Sequence, residues 1–108
     1  MVEYALSLDS IFNSLADPTR RDILRRVSTE ELSIGQIAQP YPLTFAAISK
    51  HLKVLEKAKL VVKRRQGKEQ IVCLAPQALA EAEDYLQWYK QFMEARYDSL
   101  ENYLSKEV

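Results

Sequence analysis

Two short amphipathic segments lie close together between residues 33 and 58, and the way they are joined restricts the fold more than any other feature of the chain. The connection, residues 39–43, contains Pro40 and Pro42. Proline lacks the backbone N–H that a helix interior requires, so one continuous helix is excluded. The sequence instead predicts two helices joined by a tight turn.

The two helices have recognisable starts and faces. The first begins with a capping-box pattern at Ser33. The second is predicted over residues 44–58, where Ile48, Leu52 and Leu55 line up on one face. The opposite face carries small and cationic side chains, namely Ala46, Ser49, Lys50, Lys53 and Lys57. A lysine stripe of this kind is usually a solvated helix face, so it does not identify a partner by itself.

A β-hairpin is predicted directly after the second helix. Two β-prone runs, at 60–65 and 69–74, flank a short turn in which Gly67 can adopt a positive φ. The tip is cationic, with Lys63, Arg64, Arg65 and Lys68. Although the whole chain has a formal net charge of zero, residues 43–76 hold eight lysines and arginines against two acids, a net charge of +6. The basic charge is therefore concentrated in one helix and one hairpin.

Three further helices flank this central region. One is predicted over residues 6–15 from its apolar spacing, and the next starts at Asp17-Pro18, a favourable N-cap followed by proline at the first helical position. The last helix is predicted over residues 76–104, much longer than the mean of about 11–12 residues. Its apolar positions are Leu79, Ala82, Leu86, Tyr89, Met93, Leu100 and Tyr103. A domain of this size cannot easily cover such a helix alone, and its aromatic side chains suit a buried contact.

Several classes of protein and site are not expected. No apolar run approaches the ~18 residues of a membrane span and no basic-then-apolar leader is present, so a cytoplasmic protein is expected. Cys73 is the only cysteine and cannot pair within the chain, which fits a reducing compartment. It lies between Val72 and Leu74 on a predicted strand, which favours a packed, unreactive thiol over a redox switch. His51 is the only histidine, and no second metal ligand or acid–base partner lies at useful spacing. We therefore expect no metal, no cofactor and no enzymatic activity.

The order helix, tight turn, helix and hairpin is that of a winged helix-turn-helix, a mainly α fold with the sequence α-α-α-α-β-β-α. The major groove of DNA admits one α-helix, and Ala46 and Ser49 are small enough to approach its floor. Lys50 can reach a base edge or a phosphate, while Lys53, Lys57 and the hairpin cations can neutralise backbone charge. The sequence thus favours DNA binding.

Two sequence blocks resemble the signature blocks of the ArsR family of bacterial and archaeal repressors. They are LADPTRRDIL at residues 15–24 and ISKHLKVLE at residues 48–56, and the hairpin follows them at the spacing of that family. The C-terminal pattern is similar to a metal-free branch of the family, through Trp88-Tyr89, Phe92, Arg96, Asp98, Leu100 and Tyr103-Leu104. The resemblance therefore covers nearly the whole chain.

This resemblance implies that residues 1–108 form a single winged-helix domain that binds double-stranded operator DNA as a homodimer and acts as a repressor. The helix at 44–58 would be the recognition helix and the hairpin at 60–74 the wing, while the helices at 6–15 and 76–104 would form the dimer interface. The expected DNA contacts are Thr44, Phe45, Ala46, Ser49, Lys50, His51, Lys53, Lys57, Arg64, Arg65 and Lys68. The expected dimer contacts are Leu8, Ile11, Phe12, Leu86, Tyr89, Met93, Leu100 and Tyr103.

Departures from the family pattern leave alternatives open. Phe45 stands where many relatives have a polar residue, and Lys59 where they often have the glycine that ends the recognition helix. Metal-sensing members carry a cysteine pair in the third helix or His and Asp ligands in the last helix, and this chain has neither set.

Two alternatives to this interpretation remain open. The basic face could bind an acidic protein partner instead of DNA, and the aromatic last helix could hold an unidentified small-molecule inducer.

Overall fold

The structure is a computed structural model that describes residues 2–106, with side chains from residue 7 onward. It contains five helices and three strands within that range, and the predicted winged-helix fold class is confirmed. In chain order these are α1 (Val2–Ser14), α2 (Pro18–Thr29), β1 (Leu32–Ser33), α3 (Ile34–Ala38), α4 (Phe45–Lys57), β2 (Val61–Gln66), β3 (Glu69–Leu74) and α5 (Pro76–Lys106). No helix in the described range is both long and apolar enough to cross a membrane.

Three of the helices start at side-chain caps. The Asp17 carboxylate accepts a hydrogen bond from the Arg20 backbone N–H at 3.0 Å, and this bond lowers the pKa of Asp17. Ser33 and Gln36 form the predicted capping box, in which each side chain accepts from the backbone N–H of the other. The Thr44 hydroxyl accepts from the Ala47 N–H at 3.1 Å and opens α4. These local bonds fix where each helix starts.

The sheet has one strand more than the sequence predicted. All pairs are antiparallel in the order β1-β3-β2, and Leu32 lies opposite Val72. β1 has only two residues, too few to show an alternating pattern in the sequence. The hairpin turn is also tighter than predicted, since Gln66 pairs with Glu69 and leaves only Gly67 and Lys68 between the strands. Gly67 has φ +63°, the conformation for which glycine was expected.

The apolar face of α4 lies at the centre of the core. Ile48, Leu52 and Leu55 are fully buried and belong to one core cluster with apolar side chains from every other element, among them Ile11, Ile23, Ile37, Val61 and Val72. Because this face is held inside, the opposite face of α4 must point outward.

The end of α4 forms a Schellman motif around a residue that is not glycine. The N–H of Leu60 bonds to the carbonyl of Leu55 and the N–H of Lys59 to that of Glu56, both at 3.0 Å. Lys59 has φ +62°, a left-handed conformation that costs a residue with a Cβ about 1–2 kcal/mol. Lys59 in place of glycine therefore leaves the end of α4 intact but lowers the stability of the fold.

The faces of α1 correct part of the predicted dimer interface. Leu8 and Ile11 are buried within their own protomer, so neither is available to contact a second copy. Phe12, by contrast, is 37% exposed. Near the start of α1, the Ser7 hydroxyl donates to the carboxylate of Glu81 in α5 at 2.8 Å. The apolar spacing identified the helix correctly, but most of that apolar face packs inside the chain.

Candidate nucleic-acid interface

One exposed face of α4 carries five of the eleven residues that were predicted to contact DNA. We call it the α4 outer face; it comprises Ala46, Ser49, Lys50, Lys53 and Lys57. Ser49 is half-buried and the other four are exposed. The small residues lie in the first two turns and the lysines continue toward the C-terminal end. A groove in a duplex could therefore approach the backbone of α4 closely near its start.

Phe45 and Lys68 line the same groove beside the start of α4. Phe45 is the first residue of the helix and is 61% exposed. It lines a groove together with Lys68 of the hairpin turn and Ser33 at the start of α3. The fold thus brings the beginning of the predicted recognition helix and the tip of the wing to one surface.

The cations of the wing differ in how they are held. Arg64 donates to the carboxylate of Glu31 at 2.8 Å and to the side chain of Gln66 at 2.9 Å. Lys63 lies 3.6 Å from Glu56 of α4, so it faces back toward the helix and does not belong to the cationic tip as predicted. Arg65 and Lys68 are exposed at the hairpin turn. These last two are the wing cations best placed to reach a partner.

His51 lies at the edge of the α4 outer face and has an internal contact. Its side chain is 21% exposed, and its Nδ1 atom lies 3.3 Å from the Nη1 atom of Arg20 and 3.9 Å from the nearest carboxylate oxygen of Asp17. The sequence did not indicate this contact, because Arg20 and His51 are on different helices. The predicted contact of His51 with DNA would therefore compete with its contact to Arg20.

Cys73 forms part of a small polar cluster on the surface. Its thiol donates to the carboxylate of Glu31 at 2.7 Å, which raises the pKa of Cys73, and the same bond lowers the pKa of Glu31. The raised pKa disfavours the reactive thiolate. The side chain is half-buried rather than packed in the core, which corrects the predicted environment. Within residues 2–106 no group of three or more His, Cys, Asp or Glu residues could hold a metal ion.

A second surface is apolar and lies along α5. We call it the α5 apolar surface; it comprises Phe12, Leu86, Tyr89, Met93, Leu100 and Tyr103, each more than one-third exposed. Phe12 and Leu86 line one groove between α1 and α5. Nearby, the rings of Trp88 and Phe92 stack at 5.8 Å, and the guanidinium of Arg96 lies 5.7 Å from the centre of Phe92. Large contiguous apolar patches on a protomer usually mark an interface.

The chain is similar to known transcriptional regulators over most of its length. A sequence model described as a helix-turn-helix domain matches residues 15–64. The HTH-type transcriptional regulator Rv2034 of Mycobacterium tuberculosis is 40% identical over 74 residues, which cover 68% of this chain and 69% of the relative. The transcriptional repressor SdpR of Bacillus subtilis is 32% identical over 60 residues, covering 56% and 67% respectively.

A solved structure extends the similarity to a larger part of the chain. The crystal structure of the ArsR family transcriptional regulator RHA00566 superposes with a TM-score of 0.78 at 27% sequence identity. The superposition covers 83% of this chain and 93% of that one. The similarity therefore includes both the winged-helix region and a large part of the flanking helices.

Proposed function

The chain belongs to the ArsR family of winged helix-turn-helix transcriptional regulators, and from this premise we propose that it represses transcription by binding operator DNA as a homodimer through the α4 outer face and the wing. The observation that carries the proposal is the position of α4. Its apolar face is fixed in the core, while its small and cationic residues point outward beside the hairpin tip. This arrangement suits insertion of one helix into a major groove.

Each part of the interface has a distinct task in this proposal. Ser49 and Lys50, early on the outer face, contact base edges, and Thr44, Phe45 and Ala46 approach the same part of the groove. Lys53, Lys57, Arg65 and Lys68 contact phosphates on either side. Arg64 is less available for such a contact, because its guanidinium is already paired with Glu31 at 2.8 Å. We also propose a cytoplasmic location for the chain, because a regulator acts where its operator DNA is.

Dimerisation follows from the α5 apolar surface. A second copy of the chain would bury this surface and hold two α4 helices at a fixed distance. Dimeric helix-turn-helix proteins of this kind bind two half-sites about one helical turn apart. The groove between Phe12 and Leu86 lies within the described part of each protomer and would be filled by side chains of the partner.

A salt titration tests the DNA-binding proposal directly. An operator selected from random duplexes should bind far more tightly than a scrambled duplex of the same length. With about four phosphate contacts per protomer, the logarithm of the operator association constant should fall with the logarithm of salt concentration with a slope of about −7 for a dimer. If the basic face instead binds an acidic protein partner, no duplex should be selected, and binding should show no preference that survives competitor DNA.

Metal ions and thiol reagents should not alter DNA affinity. Adding Zn²⁺ or As(III) at micromolar concentration should leave the operator titration unchanged, because the described residues offer no metal cluster. Cys73→Ser should also match the wild type, since a hydroxyl can donate to Glu31 as the thiol does. The measurement is the operator affinity with and without each reagent. Stoichiometric binding of either metal with sub-micromolar affinity would contradict this prediction.

A further inference from the structure

Arg20 connects α1 and α4, two helices that are not consecutive in the chain. It lies in the first turn of α2, and its Nε atom donates to the carbonyl oxygen of Ser14 at 2.6 Å and its Nη2 atom to that of Asn13 at 3.1 Å. Its Nη1 atom lies 3.3 Å from Nδ1 of His51. One guanidinium therefore bridges the end of α1 and the middle of α4.

The contacts to α1 have a specific physical basis. Asn13 and Ser14 are the last residues of α1, where carbonyl groups lack partners within the helix and the helix dipole is negative. A guanidinium supplies several N–H donors in a planar, rigid fork and remains charged at all ordinary pH values. A lysine would retain the charge but could not hold the same three groups in a fixed orientation.

The two bridged helices belong to different parts of the proposed complex. α1 carries Phe12 of the α5 apolar surface and packs against α5, so it lies with the dimer interface. α4 carries the face proposed to contact DNA. The apolar core also holds these helices together, but apolar contacts have no preferred direction, whereas hydrogen bonds lose strength quickly when their angle changes.

We propose that Arg20 is a positioning residue that fixes the orientation of α4 relative to the dimer interface and so determines which half-site spacing the dimer accepts. The proposal rests on the proposed function. Each base pair inserted between half-sites rotates one of them by about 34° around the DNA axis. If α4 is held rigidly relative to the dimer interface, the dimer binds tightly at one half-site spacing only. If that orientation is loose, the dimer accepts several spacings but binds the best one more weakly, because α4 must be ordered on binding.

The experiment compares Arg20→Gln with Arg21→Gln as a matched control. Arg21 is the neighbouring exposed arginine; its Nη1 atom donates to the carbonyl of Leu15 at 2.8 Å, and no contact from it to α4 is seen among the described residues. Affinities are measured for the selected operator, for operators with one or two base pairs added or removed between half-sites, and for a single half-site. Circular dichroism melting establishes that each variant is folded.

The wild type and Arg21→Gln should lose about tenfold or more in affinity for each base pair of altered spacing. Arg20→Gln should bind the selected operator about tenfold more weakly, lose less than about threefold when the spacing changes, and keep its affinity for a single half-site. If Arg20→Gln does not fold, Arg20→Lys carries the test, because it keeps the charge without the fork, and it should flatten the spacing profile in the same direction.

A uniform loss of affinity at every spacing and on the single half-site would overturn the proposal, since Arg20 would then act as a local structural residue or a phosphate contact. A wild type that binds its operator specifically but is indifferent to spacing would overturn it too, while the proposed function would stand. A wild type that selects no duplex would remove both the proposed function and this inference.

Discussion

Replacing Leu86 with aspartate is expected to convert the proposed dimer into folded monomers and to abolish tight operator binding. Leu86 is 52% exposed in the protomer and lies in the groove beside Phe12, so a second copy would bury it. A carboxylate buried there without a partner costs several kcal/mol. In a symmetric interface each copy contributes one such charge, so the penalty is incurred twice.

The loss of the dimer should lower operator affinity about 10²–10⁴-fold, because the second half-site then no longer benefits from a high effective concentration. Sedimentation measures the mass of the variant, and an operator titration measures its affinity. Because the side chain already contacts solvent in the protomer, circular dichroism should show native helix content. Tyr89→Asp, at a position 44% exposed on the same surface, should behave in the same way.

Gln91→Asp is the matched control for this substitution. Gln91 is exposed on α5 and lies about 140° around the helix from Leu86, so the same charge is introduced away from the α5 apolar surface. This variant should sediment as a dimer and bind the operator like the wild type. A wild-type protein that is itself monomeric at micromolar concentration would contradict the interface.

Local chemistry explains why much of the fold was predictable. The caps at Asp17 and Ser33 act within three residues, and the period of Ile48, Leu52 and Leu55 identifies the buried side of α4 without knowledge of any other element. Likewise, the basic residues of α4 and the hairpin are adjacent in sequence. Such features can be predicted from the sequence because the residues that cause them lie within a few positions of each other.

Features that depend on tertiary placement were not predictable. The pattern of α1 shows that one face is apolar, but Ile11 packs inside its own chain whereas Phe12 remains exposed, and no periodicity distinguishes a protomer core from a dimer interface. The contacts of Arg20 with His51 and of Glu31 with Cys73 join residues 31 and 42 positions apart. Whether such side chains meet is decided by packing, and β1 likewise exists only because β3 lies next to it.

Truncating side chains on the α4 outer face should affect DNA binding differently from truncating side chains on the wing. Ser49→Ala and Lys50→Ala should each cost about 1–3 kcal/mol on the selected operator for a lost base contact, and much less on a scrambled duplex. The ratio between the two affinities therefore shrinks. Arg65→Ala and Lys68→Ala should weaken both duplexes together and reduce the salt slope by about one for each lost phosphate contact.

Arg65 and Lys68 are better choices for this comparison than Arg64, because removing Arg64 also leaves Glu31 without its ion pair. Lys106→Ala is the charge-matched control: it removes one lysine at the end of α5, in the last turn of that helix, and should change neither affinity. The measurement is a pair of salt titrations, on operator and scrambled duplex, for each variant. If the wing variants alone erase sequence preference while Ser49→Ala and Lys50→Ala retain it, specificity comes from the hairpin and the assignment of base recognition to α4 is wrong.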